Sequence, residues 1–216
     1  MAVLSFDELN KLYDGKYKRK SMPYEQYFGE MDLTDKQRKE RINFAEKFEE
    51  VMMFLFFLLL TFEEYGSVEE SQDFILQQVK QRYRDLVIDY VALDEYIEEY
   101  IDNFSEEVIK TTNNHSDDPY YKSEDRAKLI AENEANSVLN YSDFIKAMDK
   151  GFTKKKWKTE LDIKVRHTHR PMEGKIIDIN IPFVVGESLM MFPKDTTYGA
   201  DAEEIVNCRC TIEYIK

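Results

Sequence analysis

Ten apolar residues run without a break from Val51 to Leu60 in "VMMFLFFLLLTF", and carboxylates bracket them at Glu49, Glu50, Glu63 and Glu64. A membrane-spanning helix needs about 20 apolar residues, whereas runs of roughly 10 to 14 belong more often to a buried helix. The four carboxylates would also sit close to the hydrocarbon boundary. The stretch is therefore expected to be a buried helix in a soluble body, with no membrane partner. Placing a carboxylate inside it, as in Met53→Glu, is expected to unfold that body.

The surrounding pattern supports a helix. From Asp32 through Phe62, residues Ile42, Ala45, Phe48, Met52, Leu55 and Leu59 recur at spacings of three and four, and Thr34 or Asp35 offers a cap. The face is amphipathic at first and apolar all round after Val51, so other elements are expected to enclose the second half. Gly66 is expected to end this helix, and Ser67 with Glu70 forms a capping-box pattern for the next. Ile75, Val79, Leu86, Tyr90, Leu93, Ile97, Ile101 and Phe104 continue at helical spacing to about Lys110. The turn-rich "TTNNHSDDP" follows, then a third helical block, "SEDRAKLIAENEANSVLNYSDFIKAMDKG", stopped by Gly151.

After Gly151 the texture becomes strand-like: "KKWKTEL", "KIIDINIPF", "SLMMFP" and "EIVNCRCTIEYI", separated by Gly, Pro and Asp. The expected class is α+β, a mainly helical N-terminal body with a small C-terminal β-rich module. The expected division is an arm over residues 1–35, with a basic "KYKRK" at Lys16 to Lys20, a helical body over 36–150, and the β-rich module over 151–216.

Charge narrows the function classes. The net charge of −13 argues against a protein that coats DNA through bulk charge. Between Glu63 and Glu107, fourteen acids face three bases, so nearly all the excess lies on helices. A solvated face or a dock for a basic partner both fit that pattern. Lys150 to Arg170 is the opposite, with eight bases against Glu160 and Asp162. Within it, Lys154, Lys155, Lys156, Lys158, Arg166 and Arg170 are candidates to hold phosphates, with Trp157 to stack a base. The competing reading is a lysine-protected edge strand with Trp157 turned inward. Met1 to Glu8 shows no signal-peptide pattern, and two cysteines make no disulfide framework, so a reducing cytoplasm is expected.

The two cysteines, Cys208 and Cys210, stand one residue apart. On a strand from Glu204 to Ile215 they would share a face with Val206, Ile212 and Tyr214. Residues two apart on a strand are roughly 6.5 to 7 Å apart, while a disulfide needs Cβ atoms within about 3.5 to 4.5 Å. In that geometry they behave as small buried hydrophobes, reduced and without metal. A zinc site drawing on His167 and His169 is the rival, but the usual ligand spacings are not met. His115 stands alone in a polar loop, and no cofactor or catalytic residue is assigned. No Gly-rich phosphate loop, nucleophile elbow or His-Glu-x-x-His helix is present in the sequence.

Taken in order, these pieces resemble the phage minor head proteins of the Mu F-like, head-morphogenesis type. The matching residues are "RAKLIAENEAN" from Arg126, then Gly151, Trp157, "DIKVRHTHRPMEG" from Asp162 through Arg166 and His169 to Gly174, Phe183, "PKD" at Pro193 to Asp195, Ala200, and "NCRC", Asn207, Cys208, Arg209 and Cys210. They span residues 125–213, about two-fifths of the chain. Glu173 stands where the family usually has Asp, and "NEAN" around Glu134 departs from the common Thr-Glu pair.

The resemblance implies a minor virion component that associates with the portal protein and with major capsid or scaffolding protein. It implies help in head morphogenesis and in DNA packaging or ejection, with non-specific DNA contact and a place in the capsid interior or at the portal vertex, after assembly in the host cytoplasm. It implies no enzyme activity for the shared module. The alternative is a metal-dependent hydrolase or nucleotide-modifying enzyme built on Asp162, Arg166, His169, Cys208 and Cys210.

Overall fold

Thr34 starts the longest helix with a reciprocal cap. Its hydroxyl accepts from the Gln37 amide at 3.3 Å, and Gln37 Oε1 accepts from the Thr34 amide at 3.2 Å. The computed structural model describes residues 21–65 and 68–216. Its helices are α1 (Tyr24–Gly29), α2 (Asp35–Tyr65), α3 (Val68–Val87), α4 (Glu95–Asn114), α5 (Glu124–Asp149) and the short α6 (Ala202–Ile205). The strands are β1 (Lys154–Lys158), β2 (Ile176–Asp178), β3 (Phe183–Val185), β4 (Ser188–Met190) and β5 (Thr211–Ile215). The chain is α+β, as its sequence pattern implies. The expectations for Lys16 to Lys20, Gly66 and the Ser67–Glu70 cap lie outside the described residues.

Among the described residues, packing divides the chain into two compact units. One contains Met22–Ile42 with Ala135–Lys216, and the other contains Asn43–Glu134. Both α2 and α5 contribute to each. The boundary at 150/151 marks a change of secondary structure; the units follow contacts, and contacts draw distant segments together.

The helical unit is built on rings. Phe48, Tyr83 and Phe104 meet with centroids 4.5 to 5.6 Å apart, and Phe44 joins through Phe48. The Tyr83 hydroxyl donates to buried Glu134 at 2.5 Å, and Tyr100 donates to the same carboxylate at 3.0 Å. Helical spacing does not run unbroken to Lys110. The chain turns after Val87, and Asp94 caps α4 by accepting from the Ile97 amide at 3.0 Å.

The apolar run forms helix as expected but is not enclosed. Met52, Leu55, Phe56 and Leu59 are buried, whereas Met53 is 38%, Phe57 63% and Leu60 50% exposed. Those three lie four and three residues apart, on one stripe. Met53→Glu therefore puts its carboxylate near water, and unfolding is not its expected result. No described helix is long and apolar enough to cross a membrane.

In the other unit, β1 lies between β2 and β5 in a three-stranded antiparallel sheet, and β3 pairs with β4 in a hairpin. Trp157 pairs with Ile212 across β1 and β5 and is fully buried with Phe183, Met172, Val185 and both cysteines. Arg41 is buried against α5, where it donates to Asn136 at 3.2 Å and to Asn140 at 2.8 Å and faces Asp143 at 3.4 Å. Burial holds this guanidinium below its usual range, and Asp143 opposes the shift.

The exposure pattern on α2 predicts an asymmetry. Leu55→Ala should cost about 2 to 5 kcal/mol through lost burial and a cavity. Phe57→Glu, on the exposed stripe, should stay within about 0.5 kcal/mol. Denaturant unfolding of the two variants checks this, and comparable losses would contradict the exposure.

Candidate functional site

The site begins with two backbone devices that aim side chains at each other. After β1 the chain leaves the sheet in a loop, and Gly174 returns it: its amide donates to Trp157 O at 2.9 Å, and Trp157 N donates to Lys175 O at 3.1 Å. Gly174 takes φ +73°, a left-handed conformation that suits glycine. Glu173 accepts from the Thr159 amide at 2.5 Å and ties the loop's two ends. Inside the loop, the Arg166 carbonyl accepts from the His169 amide at 3.1 Å.

The second device lies near the C-terminus. The strand expected from Glu204 begins only at Thr211. Ala202–Ile205 is instead a helical turn, the Cys208 amide donates to Ile205 O at 3.1 Å, and Asn207 takes φ +56°. Asparagine tolerates that left-handed conformation better than most residues. The premise of straight-strand geometry for the cysteines therefore fails. The turn directs both sulfurs inward, while Arg209 donates to Asp162 at 2.6 Å.

His169 is 1% exposed and stands between the two devices. Its Nδ1 lies 3.3 Å from Cys210 Sγ and 3.6 Å from Cys208 Sγ. Its Nε2 lies 2.8 Å from Glu204 Oε2, which also accepts from the Thr168 hydroxyl at 2.7 Å. Trp157 meets the imidazole edge-on, centroids 5.8 Å apart. Arg166 donates to the Val206 carbonyl. A cavity of about 20 Å³ opens beside the three groups, lined also by Glu160, Lys164, Asn207 and Arg209.

The electrostatics are those of groups sharing protons. The Cys208 thiol is held well below its usual range, first by its bond with Cys210 and then by His169, against burial. Cys210 is pushed well above, by that same bond and by burial. Burial pulls His169 down, but the charge and hydrogen bond of Cys208 outweigh it and leave the imidazole raised. Thiolate character thus gathers on Cys208, and the group titrates as a unit.

The structure gathers Asp162, Arg166, His169, Asn207, Cys208, Arg209 and Cys210 in this region. It leaves out His167, which is exposed, and Arg126, which is buried in the helical unit and donates to Thr112 Oγ1 at 2.7 Å and to Tyr121 O. His115 stacks on Tyr121 with centroids 4.1 Å apart, so it does not stand alone. Sequence reasoning missed Glu204 and Thr168; nothing in "AEEI" tells Glu204 from Glu203. It also missed Gly186, where an added Cβ would come within 2.7 Å of Glu204 Oε1.

The basic stretch is placed differently from the nucleic-acid expectation. Trp157 has no exposed face on which a base could stack. Lys155 is buried on the same side of β1, donating to Met191 O at 2.7 Å, with Phe144 and Phe183 rings each 5.3 Å away. Lys156 pairs with Glu213 at 3.2 Å, Lys158 pairs with Asp32, and Arg170 donates to the Val165 carbonyl at 3.0 Å. Lys154 is exposed.

A family model described as "Phage Mu protein F like protein" matches residues 77–213. Among curated proteins, the chain is similar to an NAD(+)–arginine ADP-ribosyltransferase, EFV, of Enterococcus faecalis, 33% identical over 90 residues. That match covers 40% of this chain and 18% of the relative, so the chain spans under a fifth of that protein's length. No solved structure matches the chain.

Lys155 supplies a pH test. Burial lowers its ammonium from 10.5 to about 8, with Asp195 and Asp178 opposing. Between those values the unfolded chain binds the proton and the folded chain does not, so the folded state gains stability as pH rises. Relative to Lys155→Met, the natural chain should gain stability from pH 8 to 10.5. Unfolding midpoints across that range check the slope, and parallel curves would contradict it.

Proposed function

The chain belongs to the Phage Mu protein F like family and is a phage head protein of that kind, and from that premise we propose that it is a minor structural component that docks on the portal during head assembly. The observation that carries the structural reading is how the family-motif residues use their polar groups. Asp162 binds Arg209, Arg166 binds the Val206 carbonyl, and Gly174 closes the loop on Trp157. Each of these bonds holds one loop of the module to another. The cavity beside His169 and the two cysteines, about 20 Å³, is of one-water size, whereas small-molecule sites are typically about 300 Å³ or larger.

A surface groove beside the site supports docking. It has a volume of about 550 Å³ along Thr159, Leu161, Asp162, Ile163, Val165 and Arg170. Ile163 is 93% exposed at its edge, with Leu161 beside it. Exposed apolar residues around a groove with a polar rim suit a protein partner. The transferase activity in the name of the E. faecalis protein stays with that protein. DNA contact during packaging or ejection is a lesser part of this proposal, resting on exposed Lys150 and Lys154.

Cross-linking mass spectrometry on purified heads tests the reading. Adducts between residues 159–165 and the portal are expected, and Ile163→Asp should reduce incorporation into heads several-fold without unfolding the chain. A chain absent from purified heads, or cross-linked there only to other components, would overturn portal docking. For DNA, two phosphate contacts would give a log–log salt slope of about −2. A slope near zero would remove that part.

A further inference from the structure

We propose that His169, Cys208 and Cys210 form a zinc(II) site, with His169 Nδ1 and the two thiolates as ligands and Glu204 orienting the imidazole from behind. Their potential ligand atoms all lie within 4.8 Å of one another, and all three residues are buried. A tetrahedral zinc with Zn–S near 2.3 Å and Zn–N near 2.05 Å separates its N and S ligands by about 3.6 Å. The observed separations are 3.3 and 3.6 Å. The two nitrogen–sulfur separations are thus close to the edges of a zinc tetrahedron, and the two sulfurs lie within 4.8 Å of each other.

The outer nitrogen is accounted for separately. Nε2 lies 2.8 Å from Glu204 Oε2, so a neutral imidazole with its proton on Nε2 donates to that carboxylate and turns its Nδ1 lone pair to the sulfurs. A carboxylate behind a ligating imidazole is the usual way a protein fixes the ring's tautomer and raises its basicity. Glu204 is itself held by the Thr168 hydroxyl. On the open side, the cavity of about 20 Å³ has room for one water, which would serve as the fourth ligand.

Ligand chemistry selects the ion. Two thiolates and an imidazole suit zinc and disfavour magnesium, calcium and manganese, which take oxygen ligands. Two thiolates neutralise Zn²⁺, and binding releases to solvent every proton that the triad carries on its two sulfurs and Nδ1. The Cys-x-Cys spacing chelates here because Arg209, between the cysteines, leaves for Asp162 while both sulfurs turn inward. The metal then joins the loop after β1 to the turn before β5, segments about 40 residues apart in sequence. This site stands independently of portal docking.

The test uses the full chain, purified with reductant and without chelator. Native mass and elemental analysis should give one zinc per chain. Chelator-stripped protein loaded with cobalt(II) should show thiolate-to-metal charge transfer and the intense visible bands of tetrahedral coordination. His169→Gln and Cys208→Ser should abolish these bands, Glu204→Gln should weaken affinity about 10- to 100-fold, and His167→Gln should change nothing. The unaltered chain's cobalt spectrum needs no variant, so a variant that fails to fold leaves the test intact. No zinc and no cobalt–thiolate bands would overturn the site. So would a Cys208–Cys210 disulfide with no metal uptake after reduction, or metal loss in His167→Gln.

Discussion

A helix buried on most of its sides yet rich in polar residues governs this structure. In α5, residues from Arg126 to Ser142 are nearly all buried, among them Glu132, Asn133, Glu134, Asn136 and Asn140. A buried polar group without a partner costs on the order of 1 to 3 kcal/mol, so such a helix persists only where the fold supplies partners. Arg126 receives Thr112 and the Tyr121 carbonyl, and Glu134 receives two tyrosine hydroxyls. Asn136 and Asn140 receive Arg41, and Asn140 donates to the Pro193 carbonyl at 3.0 Å. Each requirement is local to one unit, and the helix carries both sets.

That dependence explains what was legible in the sequence. Periodicity located α2 and α5, because it records which face of a helix meets apolar neighbours. The cap at Thr34 was legible because its partner lies three residues away. Enclosure of the Val51–Leu60 run was not legible: composition shows that residues are apolar, but only the neighbouring elements decide which sides they cover. The buried state of Lys155 was half visible. Strand alternation puts it on the side of Trp157, but its acceptor, the Met191 carbonyl, is 36 residues away.

The cysteines show the same limit at a single residue. A run such as "EIVNCRCTIEYI" alternates like a strand, and β5 does form from its second half. One asparagine in the left-handed region, with the helical turn before it, redirects the first half. Strand spacing was the argument that separated the thiols, and it vanishes with the strand. His169 could be named as a candidate from sequence, but its carboxylate partner could not. Glu204 meets it 35 residues later through folding alone, at a point where Gly186 leaves room for the side chain.

Charge follows from these placements. The acids of α4 are not uniformly solvated: Arg84 pairs with Glu98 and Asp102, and Lys80 with Asp102 and Glu106. Such pairs at the surface contribute at most about 1 kcal/mol each, so they orient neighbouring helices more than they stabilise them. In the β module Lys156, Lys158 and Lys164 are engaged in a similar way, by Glu213, Asp32 and Glu30. With these three lysines paired, the basic stretch offers a partner less free positive charge than its sequence suggests, and exposed Lys150 and Lys154 are among what remains. It also leaves Leu161 and Ile163 exposed, on the loop rooted at Trp157 and Gly174. A partner that covered those two side chains would be held by shape and burial, which salt screens far less than it screens a charged interface.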